Sequence, residues 1–313
     1  MTAIALVVPA SLDGVRVDKA VALLADLSRS SVDQLVGQGR VEVDGTPVTS
    51  RRVVLRVGQH LHVDPAPVRR RRPEGDPAVS FEVVHEDADL IVVDKPAGIV
   101  VHPGAGHDHG TLVNGLLHRY PELASVAEEA GADETRPGIV QRLDRGTSGL
   151  MVVARTPDSY RSLVDQLRHR RVSRRYRALV IGRVEAETGM VDAPIGRSAS
   201  TPTRMAVSRK GKEARTHYQV VQRFNRPAAA TLLDVLLDTG RTHQIRVHLS
   251  AIGHPVLGDA AYGRWHPFPA PHITRPFLHA AALAFEHPAD GRRLTFESPL
   301  PGDLGTQLDA LGS

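Results

Sequence analysis

The chain contains no cysteine in its 313 residues. That excludes disulfides, thiolate catalysis and cysteine-based zinc sites, and it fits a reducing cytoplasm. Aromatic residues are also scarce, at 4% with a single Trp. No apolar run reaches the roughly 20 residues of a membrane-spanning helix. The opening Met-Thr-Ala-Ile-Ala-Leu-Val-Val-Pro-Ala lacks the basic start of a secretory leader, so a soluble, cytoplasmic protein is expected. A strong net charge is missing as well: 39 Lys and Arg against 35 Asp and Glu leave only +4. The bias lies in where the charges sit. Arg168-His-Arg-Arg-Val-Ser-Arg-Arg-Tyr-Arg177 carries six arginines in ten residues, Arg69–Arg72 forms a second run, and Arg204, Arg209, Lys210, Lys212 and Arg215 form a third. Such clusters are the footprint of phosphate-backbone binding. An isolated run such as Arg69–Arg72 is explained equally well as solvated surface. Three clusters around one candidate site favour a nucleic-acid partner.

With 41% apolar residues the chain is long enough for a sizeable core and more than one domain. Residues 14–64 read as a compact unit: helical spacing over Val15–Leu24, an N-cap at Ser28–Ser31, a short helix over Ser31–Val36, then strands at Val41–Val43 and Val53–Val63 with an Asp44-Gly45 hairpin turn. Residues 65–79, with four prolines, a glycine and a run of charge, read as a linker. A main domain follows over 80–313. Strands are expected at Phe81–Val84, Leu90–Val93, Leu150–Ala154, Tyr176–Ile181, His217–Gln222, Leu232–Leu237 and Leu283–Phe285, with a helix over Thr111–Arg119. Many short strands with scattered helices indicate a mixed α+β fold.

The chemistry concentrates in Gly138-Ile-Val-Gln-Arg-Leu-Asp-Arg-Gly-Thr-Ser-Gly-Leu-Met-Val-Val-Ala-Arg-Thr156. One carboxylate, Asp144, sits between Arg142 and Arg145 in a turn that leads into an apolar strand. An aspartate in an arginine-rich cleft stays ionised at neutral pH and can serve as nucleophile or base beside a polyanion. A structural ion pair at a loop is the other reading, and the segment alone admits both.

This segment resembles the central motif of the RluA-type RNA pseudouridine synthases, which runs His-Arg-Leu-Asp-(Arg or Lys)-Asp-Thr-Ser-Gly-Leu. Two positions depart from it: Gln141 stands in place of the usual His, and Gly146 in place of a second Asp. Further segments carry the same resemblance in the same order. They are Lys95-Pro-Ala-Gly98, His102-Pro103, Ser173-Arg-Arg-Tyr-Arg-Ala-Leu179, Gly240-Arg-Thr-His-Gln-Ile-Arg-Val-His248 and the strand region Arg275–Pro288. Residues 14–64 are similar to the S4 RNA-binding domain, through Ser28-Arg29-Ser30 and Gly39-Arg-Val-Glu-Val-Asp-Gly45. The order of motifs looks most like the RluD-type, large-subunit rRNA branch.

The resemblance implies a small S4-like domain followed by a mixed, mainly antiparallel-sheet catalytic domain. It implies Asp144 as the catalytic residue, Tyr176 as the residue that faces the target base, and Arg246 as the partner that holds Asp144 ionised. Candidate substrate contacts are Gln141 and Arg142 beside Asp144, Leu278 lining the base pocket, Arg204 and Lys210 in a loop gripping RNA, and Arg29 and Arg40 in the S4-like unit. The implied reaction breaks the N1–C1′ bond of uridine and rejoins the base through C5, which requires no cofactor. His243 and His248 lie five apart with no third ligand of suitable spacing, so no metal site is expected. The implied partner is structured RNA, 23S rRNA or a large-subunit precursor, and a monomer is the simplest reading. Two alternatives stand beside this: a non-catalytic RNA-binding protein that keeps the fold, and the same chemistry on tRNA.

Overall fold

The computed structural model describes all residues except 1–2, 26, 28, 65–71, 105–108, 199, 202–203, 264–272 and 313, and the side chains of 29, 30 and 312. The chain divides into two compact units, Met1–Arg71 and Arg72–Ser313.

In the first unit, β1 (Ile4–Val7), β2 (Val41–Val43), β3 (Thr46–Pro47) and β4 (His60–Val63) form an antiparallel sheet in the order β1-β4-β2-β3. Helices α1 (Val17–Leu24) and α2 (Arg29–Gly37) pack their apolar positions, Val17, Ala20, Val21, Val32 and Leu35, against Val41, Leu61 and Val63. Asp44 and Gly45, at φ 53° and 73°, make the two-residue hairpin turn that their identities demand. The strand expected over Val53–Val63 is real only from His60. Gly58 at φ 87° turns the chain ahead of it, and Val54 makes only an isolated bridge to Arg16. β1 lies ahead of the expected start at residue 14, because four residues of alternating burial on a sheet edge carry little signal.

The second unit begins before residue 80. Asn114 Nδ2 donates to the Glu74 carbonyl (2.7 Å) and Asp76 N–H donates to the Asn114 carbonyl (2.9 Å), so residues assigned to the linker by composition pack on a helix. The rest of the expected linker, 65–71, lies outside the described residues.

Chain order in this unit is β5 (Glu82–Glu86), β6 (Leu90–Lys95), α3 (Leu112–Arg119), α4 (Leu123–Glu129), β7 (Ser148–Ala154), α5 (Pro157–Arg168), β8 (Ser173–Ile181), β9 (Thr188–Asp192), β10 (Ile195–Arg197), β11 (Met205–Val207), β12 (Arg215–Phe224), β13 (Ala230–Leu237), α6 (Gln244–Ala251), β14 (Leu278–Glu286), β15 (Arg293–Glu297) and α7 (Gly302–Gly312). Nine of these strands form one mixed sheet, ordered β5-β6-β7-β14-β8-β13-β12-β9 with β15 on β14, while β10 and β11 form a separate hairpin. Only the β7–β14 pairing is parallel; the sheet is otherwise antiparallel. β6 and β7 read as continuous apolar runs because both their faces are covered. Ile91, Val93, Met151 and Val153 join the core with α3 and α4, whereas Leu90, Val92, Leu150 and Val152 pack with Leu163 of α5.

β7 and β14 meet only at Ser148–His279 and Gly149–Ala280. Gly149 adopts φ 114° there, and a Cβ would collide with the Ala280 backbone, so only glycine fits. This junction anchors the loop that carries Asp144 to the middle of the sheet.

A candidate active site at the centre of the sheet

Asp144 lies in the loop entering β7, where its carbonyl accepts from Thr147 N–H (3.1 Å). Of its two flanking arginines, only Arg142 lines the cavity beside it, and Arg142 is exposed. Arg145 turns away. Its Nε donates to the Gly98 carbonyl (2.8 Å) and its own carbonyl accepts from Gly98 N–H (2.7 Å), which pins the Lys95-Pro-Ala-Gly98 turn to the Asp144 loop.

Arg246, on α6, donates from Nη1 to Asp144 Oδ2 at 2.9 Å. Its Nε and Nη2 grip Asp259 at 2.7 and 2.9 Å, and Asp259 is fully buried and held in turn by Ala261 N–H (2.9 Å) and Tyr262 N–H (3.1 Å). Burial works against the guanidinium charge, but the Asp259 and Asp144 carboxylates outweigh it and raise the Arg246 pKa further. A rigid turn thus fixes Asp259, Asp259 fixes Arg246, and Arg246 orients one oxygen of Asp144 while the other stays open.

His243 faces that open oxygen, with Nε2 3.9 Å from Asp144 Oδ1. The Tyr262 hydroxyl accepts from Met205 N–H (3.1 Å) and shares a hydrogen bond with His243 Nδ1 (2.8 Å). Burial lowers the His243 pKa against the opposing pull of Asp144, which favours the neutral ring.

A cavity of about 570 Å³ opens over this group. Tyr176 on β8 and Leu278 at the start of β14 both line it, both buried, and Gln141 and Arg142 contribute from the Asp144 loop. Four of the expected site residues therefore surround the expected pair Asp144–Arg246. Burial raises the Tyr176 pKa, which Arg174 opposes and Asp144 reinforces, so its hydroxyl is protonated at neutral pH. Gln141 Nε2 is buried without a hydrogen-bond partner among the described residues, a donor available to a ligand.

Other expected contacts lie elsewhere. Arg204 precedes β11 and Lys210 sits in the turn after it, and neither lines the cavity. Arg40 belongs to the first unit, 3.7 Å from Asp64, while the side chain of Arg29 lies outside the described residues. His248 is buried against Thr216 and the Ala193 carbonyl, a structural role. A His–carboxylate cluster does occur away from the site: Asp87, Asp89 and His287 bring ligand atoms within 4.8 Å of one another. There Asp87 is already occupied by His85, His287 and the Asp89 and Leu90 amides.

Sequence reasoning missed Asp259 and Tyr262, which sit in a turn with no periodic pattern, and it weighed His243 only as a metal ligand. It also gave Lys95 no role beyond its place in the Lys95-Pro-Ala-Gly98 segment. Lys95 is fully buried, its Nζ donating to the carbonyls of Pro96 (2.8 Å) and Ile99 (3.0 Å). Burial pushes its pKa down to about 7, partly offset by Asp144. A free lysine titrates near 10.4, so between those values the unfolded chain holds a proton that the folded chain gives up. Unfolding free energy then rises with pH across that window, by at most about 1.4 kcal/mol per pH unit. Compared with Lys95→Met, the wild type is expected to gain stability from pH 7 to 9 in urea titrations. Parallel pH profiles of the two proteins would refute this.

Residues 89–251, just over half the chain, match the family model described as RNA pseudouridylate synthase. A ribosomal large subunit pseudouridine synthase D of Nitrosomonas europaea is 45% identical over 98% of this chain and 88% of its own. An uncharacterised RNA pseudouridine synthase of Chloroflexus aurantiacus is 48% identical over 97% and 92%. Among solved structures, human RNA pseudouridylate synthase domain containing 4 superposes with a TM-score of 0.55 at 26% identity, covering 74% of this chain and 93% of that one. Asp144 and Arg246 both lie within the residues that match the family model, and the chain belongs to the RNA pseudouridine synthase family.

Proposed function

We propose that this enzyme isomerises uridines in large-subunit ribosomal RNA, with Asp144 as its catalytic group. The observation that supports this most is the Asp144 carboxylate, whose one oxygen is bound by Arg246 and whose other faces a cavity with Tyr176 and Leu278 on its walls. A target uridine must leave its stack to enter, at a cost of a few kcal/mol that is smaller in a loop than in a helix. Tyr176 offers its ring as a stacking surface, a contribution of about 1–3 kcal/mol.

Asp144 then acts on the ribose, either by attacking C1′ or by taking the C2′ proton. Both routes need one carboxylate on the sugar face. The C1′–N1 bond breaks and the uracil turns; as C5 bonds to C1′, the Asp144–C1′ bond breaks in the first route, or the proton taken from C2′ returns there in the second. The C5 proton is then lost by way of the Tyr176 hydroxyl and N1 regains one, so the isomerisation is balanced without redox change. Names of relatives such as that of Nitrosomonas europaea, together with the three basic clusters, support ribosomal RNA as the substrate. The first unit, with its two helices and small sheet, is proposed as an S4-like RNA-binding domain whose arginines contact structured RNA in the cytoplasm.

Pseudouridine mapping by carbodiimide labelling and primer extension, in RNA from cells with and without the gene, tests this. Loss of sites in 23S rRNA is expected. Loss confined to tRNA would reject the substrate, and an unchanged map would reject the catalytic reading.

A further inference from the structure

Arg174 is a buried arginine of the site with no carboxylate in salt-bridge contact among the described residues. It is 9% exposed, lines the cavity, and stands two residues before Tyr176 on β8, so the two side chains share one face of the sheet. Its Nη2 makes a 3.2 Å bond to the Leu237 carbonyl, and its Nε is buried with no hydrogen-bond partner among the described residues. No carboxylate of the described residues lies within 4.0 Å of it; Asp238, the carboxylate that acts on it electrostatically, is engaged by His217 (3.2 Å), Arg215 (3.6 Å) and Arg170 (3.9 Å). Arg246, by contrast, carries two carboxylates. A Cβ at Gly240 would lie 2.9 Å from Arg174 Nη1, so the glycine of the Gly240-Arg-Thr-His-Gln segment makes room for this guanidinium.

Burying an uncompensated cation costs several kcal/mol, so the arrangement fits a site that receives negative charge. RNA phosphates are one source of it. Four exposed arginines on the cavity wall, Arg142, Arg168, Arg170 and Arg241, are better placed for those than a buried one beside the base-facing tyrosine. The other source arises in the reaction. When the C1′–N1 bond breaks, its electron pair leaves with the base, and the charge spreads over N1, O2 and O4 of the uracil until C5 bonds to C1′ and N1 is reprotonated.

Resting on the isomerase reading above, we propose that Arg174 is a catalytic residue that balances the negative charge of the detached uracil. A cation with no carboxylate in salt-bridge contact keeps most of its field for an anion that exists only after bond cleavage. Such an interaction lowers the barrier rather than tightening the ground state. The same charge opposes the burial that keeps Tyr176 protonated, easing transfer of the C5 proton.

The test compares wild type, Arg174→Met and Arg174→Lys in single-turnover reactions on a stem-loop RNA carrying uridine or 5-fluorouridine at the target position. The readout is consumption of the N1-linked nucleoside, with RNA affinity measured in parallel. Fluorine at C5 withdraws electrons and makes the base a better leaving group. Arg174→Met is expected to slow the uridine reaction by about 10²–10³-fold, the usual loss when a preorganised donor to a developing anion is removed. RNA affinity should change less than about threefold, since no ground-state phosphate contact is lost. The penalty should shrink at least tenfold on 5-fluorouridine, and Arg174→Lys should recover part of the uridine rate. Equal penalties on both nucleosides would overturn the assignment, as would a loss confined to affinity, the mark of a phosphate contact. A wild type inert on both RNAs would overturn the isomerase reading itself and this assignment with it.

Discussion

Asp144→Asn is expected to lower isomerisation by at least about 10⁴-fold, the scale on which loss of a central catalytic group is felt, while RNA affinity stays within a few-fold of wild type. The change conserves size and leaves an oxygen to accept from Arg246 Nη1, so the loop, its Thr147 turn and the Gly98–Arg145 clasp have no reason to move. What disappears is the negative charge needed at the ribose in either route. Affinity, by contrast, resides in the exposed arginines, which this change does not touch. Single-turnover rates and filter binding on the same RNA separate the two quantities. Activity within about 100-fold of wild type would remove Asp144 from the chemistry, because a residual carboxamide supplies neither a nucleophile nor a base of comparable strength.

The same residues show what a sequence discloses and what it withholds. Asp144, Tyr176, Arg246 and Leu278 were legible because each lies in a segment that resembles a family motif, and the structure places all four at one cavity although they come from a loop, two strands and a helix. The apolar strands β6, β7, β8 and β13 were legible because burial of their inward residues imposes runs and alternation on the sequence. α5 went unread although Thr156 caps it and Pro157 opens it, a start signal that was present and passed over. α6 is harder to see: its first six residues, Gln244–Leu249, are all buried, so no polar face marks it as a helix. Asp259 lay beyond reading for a different reason. Its importance comes from two hydrogen bonds to an arginine thirteen residues earlier, and nothing in Gly258-Asp259-Ala-Ala-Tyr262 announces that partner. The flanking Arg145 misled in the opposite direction: adjacency in sequence suggested a partner for Asp144, while the turn sends its side chain to Gly98.

Removing Arg246 should reveal how much of this architecture serves catalysis and how much serves stability. Arg246→Met strands two carboxylates, Asp144 at the cavity floor and the fully buried Asp259. Breaking a buried pair from one side costs about 3–5 kcal/mol, because the remaining charge is left without compensation. In a unit of this size that corresponds to a fall of roughly 10 °C in Tm. Adding Asp259→Leu to Arg246→Met removes the worst of the stranded charge, since an apolar replacement of a buried pair is often neutral or stabilising. The double variant should regain most of the lost Tm and none of the lost activity, because Asp144 still lacks the donor that orients it. Recovery of both together would mean that Arg246 acts only by holding the fold. Recovery of stability alone would assign it to the chemistry, with Asp259 as the residue that positions it.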